Sequence, residues 1–382
     1  MSVLIAGYPY TRENYLKVFD YYKGESLFIL PYKWKAKGGK IVFFPPEQEN
    51  IIRTKAFFFH SNYFLVGGLF KGLMPMFPWH LFRNRKNVEL AYSAIEPVLL
   101  STLYQGFWTR FFGKKHIIFT WENVPYDKKF HGINGMIKKF ILWMNFKFCD
   151  GLICGNHKAL EIHKKYGKQM AVIQLSGVDE VKFRPIRGPK YFNGISLENE
   201  IVFLFAGALD YRKGVHILLE AFNRVAEKVN NVRLLIIGSG TYEKEINEKL
   251  ANSPHNEKVT ILPWIANEKL PKVFGVSDIF VYPSISYSGW EEQFGYSMAE
   301  ASLCELPVIA TKSGSIDEIV QDGKTGMLVS ENNIQELMEA MLKLAEDKEL
   351  RQMLGKAGRD HIINNFSYSV VADKFYRFFN SI

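Results

Sequence analysis

Runs of consecutive apolar residues recur along the chain, separated by longer stretches in which apolar positions return every three or four residues. Uninterrupted short runs suit strands buried on both faces, and the intervening spacing suits amphipathic helices. The pattern therefore predicts doubly wound βα layers on parallel sheets, not a sandwich. In the first half the predicted strands are Val3–Ala6, Ile41–Phe44, Val88–Tyr92, His116–Thr120, Gly151–Cys154 and Ala171–Gln174, with a helix from about Glu96 to Phe112. In the second they are Ile201–Ala206, Val232–Ile237, Val259–Leu262, Ile279–Tyr282, Val308–Ala310 and Gly326–Val329. Between the sets, residues 184–194 carry two prolines, two glycines and no apolar periodicity, a linker composition. This predicts one domain over 1–185 and a second over 186–365. A helical pattern over 366–382 follows a sheet already complete and is expected to pack back onto the first domain. No fixed short repeat is visible, which excludes a solenoid.

Composition narrows the class. Of 382 residues, 47% are hydrophobic, 23% charged and 15% aromatic, enough apolar material for packed cores. The three cysteines, Cys149, Cys154 and Cys304, form no C-x-x-C pair, so neither a disulfide framework nor a thiolate zinc site is expected and a reducing, cytoplasmic setting fits best. The net charge of +9 is unevenly spread: residues 1–190 hold 29 basic and 13 acidic residues (29 − 13 = +16), whereas 191–382 hold 19 and 26 (19 − 26 = −7). A basic half implies an anionic partner. No RNP, KH, zinc-finger or helix-turn-helix signature is present, so nucleic acid is not expected to be that partner. Met1 leads directly into an apolar strand pattern with no basic n-region, so no cleavable signal is expected. The most membrane-like stretch, Ala56–Phe82, is interrupted by Lys71, Pro75 and Pro78, and no spanning helix is expected.

The segment richest in chemistry is Glu292-Gln-Phe-Gly-Tyr-Ser-Met-Ala-Glu300. It places Glu292 and Gly295 in the loop after the strand ending at Tyr282, starts a helix near Phe294 and sets Glu300 about two turns in. Free backbone N–H groups at such a helix start can hold a diphosphate, and the two carboxylates can bind sugar hydroxyls. By spacing alone, a solvated helix with two surface glutamates accounts for the segment equally well. Its company decides. Upstream stand Gly177-Val-Asp179 with Phe183 and Pro185, Phe205-Ala-Gly207-Ala-Leu-Asp-Tyr-Arg-Lys213-Gly214, Leu235-Ile-Ile-Gly238-Ser-Gly240 and Val276-Ser-Asp278-Ile-Phe-Val-Tyr-Pro283-Ser284; downstream stands Ser313-Gly-Ser-Ile-Asp-Glu318 through Gly326-Met-Leu-Val. In this order, from about Ser176 to Val329, the sequence resembles the retaining nucleotide-sugar glycosyltransferases of family 4 (glycosyl transferases group 1), which have the GT-B fold: two Rossmann-like domains facing each other across a cleft. The first half matches only in its strand rhythm.

The resemblance implies a hexosyltransferase that takes a nucleotide-diphosphate sugar, most often UDP- or GDP-linked, and passes the sugar to a glycan or lipid-linked acceptor. It implies that Glu300 binds the ribose and that Glu292, opening the E-x7-E motif, faces the transferred sugar. Phe294, Gly295, Tyr296 and Ser297 would line sugar and diphosphate; Lys213 and Arg212 would contact the diphosphate; Gly207, Gly7, Pro263 and Trp264 would complete the donor pocket. Cations and helix N–H groups can stabilise the leaving diphosphate without a metal. No two aspartates stand two positions apart, so no D-x-D metal motif exists and no cofactor is expected. Three departures stand out: Ala208 replaces an expected phosphate-binding Arg, Glu305 an expected Gly, and Thr120-Trp-Glu122-Asn123 a segment in which many relatives carry a histidine near the reacting carbon. Glu122 is thus a candidate catalytic or acceptor-orienting carboxylate, with a salt-bridged loop residue as the alternative. His116 and His216 read as structural histidines. A degenerate sugar-nucleotide-binding subunit, made conceivable by Ala208 and Glu305, is the rival to an enzyme; a nucleotide-sugar epimerase of the same fold is another, and a phosphorylase would need far greater length.

Gly132–Phe148 has apolar residues at helical spacing with Lys138, Lys139 and Lys147 interleaved and Trp143 among them. Phe57–Phe59, Phe64–Phe82 with the basic segment ending at Lys86, and Phe107–Lys115 offer similar mixtures. Any one of these alone reads as core. Together on the basic half they predict peripheral attachment to the anionic cytoplasmic face of a membrane.

Overall fold

The computed structural model describes residues 1–35, 42–59, 68–186 and 188–382. They divide into two compact units: Met1–Gly177 with Tyr368–Ile382, and Val178–Ser367.

The first unit carries strands β1 (Ser2–Ala6), β2 (Glu25–Pro31), β3 (Trp34–Lys35), β4 (Val42–Phe43), β5 (Ile51–Thr54), β6 (Leu90–Ser93), β7 (Lys115–Thr120), β8 (Gly151–Cys154) and β9 (Gln169–Val172). Seven form one parallel sheet in the order β5-β2-β1-β6-β7-β8-β9, and β3 and β4 pair as a short antiparallel ribbon. The central strands are apolar on both faces, with Val3, Leu4, Ile5, Leu90, Ile117 and Ile118 fully buried, as parallel strands covered by helices must be. The chain's last helix, Tyr368–Ser381, belongs to this unit because its apolar stripe, Val371, Phe375, Phe378 and Phe379, completes the core around Phe19, Tyr22 and Tyr92.

Two sequence expectations fail here. The predicted buried strand Ile41–Phe44 is not in the main sheet: Ile41 lies outside the described residues, and Val42–Phe43 is a ribbon strand followed by a two-thirds-exposed Phe44. The strands overlooked are β2 and β5. β2 carries the four-residue apolar run Leu27–Leu30 closed by a proline, while β5 is a four-residue edge strand carrying Arg53. The helix predicted from Glu96 starts four residues later, at Leu100, and leaves Glu96 in the loop after β6.

The second unit holds β10 (Tyr191–Phe192), β11 (Ile195–Ser196), β12 (Ile201–Ala206), β13 (Val232–Ile237), β14 (Val259–Leu262), β15 (Ile279–Tyr282), β16 (Val308–Thr311) and β17 (Gly326–Val329). Six make a parallel sheet ordered β14-β13-β12-β15-β16-β17. The supposed linker folds into the β10–β11 hairpin, turned by Asn193 and Gly194, both at positive φ as a tight two-residue hairpin turn requires. The unit begins at Val178, whose N–H bonds the carbonyl of Phe366 at 2.9 Å. Glu305 adopts φ 60°, the left-handed conformation in which the family pattern places glycine, so the turn persists at a cost of about 1 kcal/mol.

Candidate functional site

In open parallel sheets, ligands sit beyond the carboxyl ends of the strands. There, in the second unit, the residues expected to meet the donor converge. β12 ends at Ala206 and leads through Gly207 into the 3-10 turn Tyr211–Lys213; β15 ends at Tyr282 and leads through Ser284 to Glu292. Gly214 locks these exits together: at φ 68°, a Cβ there would lie 1.9 Å from the Pro283 carbonyl. Lys213 is consequently buried, with Nζ 2.5 Å from Glu292 Oε2, 4.8 Å from the Tyr282 ring centroid and 4.9 Å from that of Trp290. The Tyr282 hydroxyl donates to the same carboxylate oxygen at 3.0 Å and the Ser284 hydroxyl at 3.2 Å. Burial pushes the Glu292 carboxyl up, but the Lys213 ammonium and the two hydroxyls outweigh it and hold the group below the ordinary carboxylate value. Glu292 is thus an ionised carboxylate, and Lys213 a buried cation whose counter-charge it supplies. Gly314, at φ 57°, comes so close to Glu292 that a Cβ would meet its carbonyl at 1.9 Å, which fixes that backbone from behind.

Beside this pair the Arg212 guanidinium lies 3.7 Å from the Trp290 ring centroid and 3.6 Å from Asp210. Gly295, at φ 82°, caps the helix Tyr296–Leu303, its carbonyl accepting from the Met298 N–H at 2.9 Å. Phe294 is buried against Phe366, and Tyr296 packs on Phe294 at 4.7 Å between centroids. Ser297 follows Tyr296 in the first turn of that helix. At the other end of the motif Glu300 accepts from Asn267 Nδ2 at 3.2 Å, and Asn267 in turn accepts from Lys182 Nζ. Burial raises the Glu300 carboxyl to about 7, with Asn267 and Lys182 working against it. Pro263 and Trp264 follow β14, and Trp264 is exposed, its N–H donating to Ser239 Oγ at 3.4 Å. The sequence motifs pointed to Lys213, Glu292 and Glu300. Asn267, Lys182 and Trp290 carried no signal, because only the fold brings them to the motif.

In the first unit Gly7 follows β1, and Glu122 follows β7 at the carboxyl end of the sheet. Glu122 is paired with Lys129, Oε2 to Nζ 2.5 Å, while its other oxygen accepts from the Val124 N–H at 3.3 Å. A second carboxylate stands behind it, unmarked by sequence: Glu96 accepts from Thr120 Oγ1 and from the Trp121 N–H, both at 2.8 Å. Burial raises Glu96 to about 7; the two hydrogen bonds lower it, Glu122 raises it and Lys129 lowers it. His116 is structural, fully buried with Nε2 2.8 Å from Ser93 Oγ, and burial drives it down to about 3. His216 stacks on Tyr211 at 4.7 Å between centroids, half-buried and likewise lowered by burial.

The helix Gly132–Phe148 buries Gly135, Ile141, Leu142, Asn145 and Phe146, and exposes Ile133, Met136, Ile137, Phe140 and Trp143 on its other side. Lys138 lies over the Phe130 ring at 4.8 Å, Lys139 pairs with Asp127 at 2.7 Å and Lys147 lies over Trp143 at 5.3 Å. The apolar surface continues through Phe148 and Phe107 to Phe111 and Trp108, then through Phe112 to Phe82 and Trp79. Of the aromatic segments expected to join it, 64–67 lies outside the described residues. Among the described residues no helix is long and apolar enough to cross a membrane.

The family model for glycosyl transferases group 1 matches residues 190–361. A capsular polysaccharide biosynthesis glycosyltransferase, CapM, of Staphylococcus aureus is 29% identical over 187 residues, 48% of this chain and 47% of that protein. A GDP-mannose-dependent alpha-(1-6)-phosphatidylinositol monomannoside mannosyltransferase of Mycobacterium tuberculosis is 28% identical over 165 residues, 43% of each. The match thus spans about half the length of these curated relatives. Among solved structures, HepE of Anabaena in complex with UDP superposes with a TM-score of 0.76 over 100% of both chains at 16% identity, which shows that the fold is GT-B. Residues 190–361, which match the glycosyl transferases group 1 family model, contain Lys213, Glu292 and Glu300.

Proposed function

We propose that the protein is a retaining glycosyltransferase that takes a sugar from a nucleoside-diphosphate donor, UDP- or GDP-linked, and transfers it to a glycan or lipid-linked acceptor at the cytoplasmic face of a membrane, without a metal ion. The observation that carries this reading is the buried Lys213–Glu292 pair at the carboxyl ends of β12 and β15, flanked by Arg212 and the start of the helix Tyr296–Leu303. In the reaction the bond between the anomeric carbon and the diphosphate oxygen breaks, the acceptor oxygen bonds that carbon on the same face, and the acceptor proton leaves with the nucleoside diphosphate. Negative charge grows on the diphosphate, where Lys213, Arg212 and the helix N–H groups are the stabilising charges. Glu292 then serves the sugar hydroxyls and Glu300 the ribose. The first unit takes the acceptor, with Glu122 orienting its hydroxyl. The names of two relatives, one acting on a phosphatidylinositol monomannoside and one in capsular polysaccharide biosynthesis, agree with a lipid-linked or glycan acceptor. The exposed stripe Ile133–Trp143 with its lysines supports membrane attachment, since a large apolar patch rimmed by cations suits an anionic lipid surface.

Thermal shift against UDP, GDP and ADP and their sugars tests the donor: a ligand at 100 times its dissociation constant stabilises by about 2.7 kcal/mol. Transfer should persist in excess EDTA. No shift with any nucleotide would overturn the donor assignment, and activity lost to EDTA and restored by Mn²⁺ would overturn metal independence. Nucleotide binding with neither transfer nor slow donor hydrolysis would identify a non-catalytic subunit instead.

A further inference from the structure

The loop after β7 is held from three directions. Glu96, from the loop after β6, accepts from Thr120 Oγ1 and from the Trp121 N–H, both at 2.8 Å. From the loop after β8, Asn156 Nδ2 donates to the Trp121 carbonyl at 3.4 Å, and Gly155 lies so close that a Cβ there would sit 2.1 Å from the Trp121 ring. Within the loop, Thr120 Oγ1 accepts from the Glu122 N–H at 3.1 Å, so one hydroxyl joins Glu96 to the backbone of Glu122. A single ordered turn thereby carries the Glu122 carboxylate, with Lys129 as its counter-charge.

We propose that Glu96 is a positioning residue for Glu122: by fixing the Thr120–Glu122 turn it sets where the Glu122 carboxylate meets the acceptor hydroxyl, and its own protonation switches that placement off. This rests on the reading of Glu122 as the acceptor-orienting carboxylate. An ionised Glu96 can accept from Thr120 and Trp121 together. A protonated Glu96 must place a donor toward one of them; the Thr120 hydroxyl then turns its own hydrogen away, and the link to Glu122 is rearranged. The groups that face Glu96 are Glu122 and Lys129, Tyr126 of the helix Tyr126–Lys129 with His163 behind it, and Cys154 at the end of β8. Of these, Lys129 is the one cation whose charge favours the ionised form. The raised value near 7 places the switch in the neutral range.

The test uses the full chain with Glu96→Gln, Glu96→Asp and Glu122→Gln, and UDP-glucose and GDP-mannose hydrolysis as the turnover probes. In the parent, kcat should rise through a limb centred near pH 7. Glu96→Gln should flatten that limb and lower the plateau about tenfold with KM and nucleotide affinity unchanged, and Glu96→Asp should restore a limb. Parent-like kcat and limb in Glu96→Gln, with Glu122→Gln impaired, would overturn the positioning role alone. Parent-like turnover in Glu122→Gln would overturn the reading of Glu122 and this proposal with it. Carboxyl ¹³C NMR of glutamate-labelled protein supplies a readout independent of turnover and of the folding of any Glu96 variant. The Glu96 resonance should titrate near 7 in the parent and at lower pH in Glu122→Gln, where the like charge is gone; an unmoved midpoint would also overturn the proposal.

Discussion

The two units solve one problem, placing a carboxylate beside a lysine at the carboxyl end of a parallel sheet, in opposite ways. In the second, the side chains of Lys213 and Glu292 are 9% and 8% exposed, and two hydroxyls add to the pair. In the first, Lys129 and Glu122 are 36% and 11% exposed, and the supporting hydrogen bonds act on the backbone of the loop. A buried pair has little freedom and is coupled to folding, whereas a pair open on one side can exchange its partner for a substrate. The comparison teaches that the second unit's pair is built as part of a core, whereas the first unit's pair stays open on one side of an ordered turn.

The strongest way to break the comparison is to remove the buried cation. Lys213→Ala leaves Glu292 buried without its counter-charge and should cost about 3–5 kcal/mol of stability. Denaturant unfolding would show this as a lowered midpoint at unchanged slope, and nucleotide binding should weaken with it. Lys213→Met with Glu292→Leu should recover most of the loss, because both charges then leave together. A loss below about 1 kcal/mol for Lys213→Ala would mean that the pair is not buried in solution.

Each unit also holds one carboxyl raised from an ordinary 4.5 to about 7, Glu96 in the first and Glu300 in the second. Between those values the folded protein retains a proton that the unfolded chain has released. The stabilisation is therefore complete below about pH 4.5 and is lost as pH rises through 7. Each group contributes up to about 3 kcal/mol to that decline. Glu300→Gln and Glu96→Gln should each remove part of the fall in melting temperature between pH 5 and 7.5, and the double substitution should remove the sum. A decline unchanged in both variants would sink the assignment. Glu300→Gln should in addition weaken nucleotide binding, which Glu96→Gln should not.

The proposed membrane attachment sharpens the contrast, since the exposed stripe Ile133–Trp143 and its lysines lie in the first unit. Each basic residue near an anionic surface contributes about 1 kcal/mol. Lys138→Glu with Lys139→Glu should weaken co-sedimentation with acidic vesicles at least tenfold, with nucleotide affinity preserved, and high salt should imitate the change in the parent. Phe140→Ser with Trp143→Ser should weaken it without altering the salt dependence. If the parent ignores acidic vesicles, the stripe serves another partner.

The same contrast governs what the sequence could disclose. The central strands were legible because they are buried on both faces, so burial alone writes them as apolar runs: Val3–Ala6, Ile201–Ala206 and Val232–Ile237 are examples. Edge and hairpin elements were not. Ile-Val-Phe-Phe reads as a better strand than β5 does, yet only pairing partners decide which joins the sheet. Lys213, Glu292 and Glu300 stood out because they occupy one continuous loop–helix segment and one short turn. Glu96, Asn267 and Lys182 did not, because each acts on a segment 24 or more residues away through hydrogen bonds that local pattern does not encode.

The smallest expected effect draws the comparison most finely. Lys129 is the structural counterpart of Lys213, yet it is more than a third exposed, and exposed pairs contribute about 0.2–1 kcal/mol. Lys129→Ala should therefore shift the unfolding midpoint by less than about 1 kcal/mol, several-fold less than Lys213→Ala. Its consequence should appear in titration instead. Lys129 lowers Glu96 while Glu122 raises it, so removing the lysine leaves two carboxylates facing each other without a cation. The Glu96 midpoint should then rise above its value near 7, and the activity limb should move to higher pH with it. Carboxyl NMR and the pH dependence of turnover measure this independently. If Lys129→Ala destabilises the fold as much as Lys213→Ala does, the first unit's pair is part of a core after all, and the distinction between a buried pair in the second unit and an open pair in the first fails.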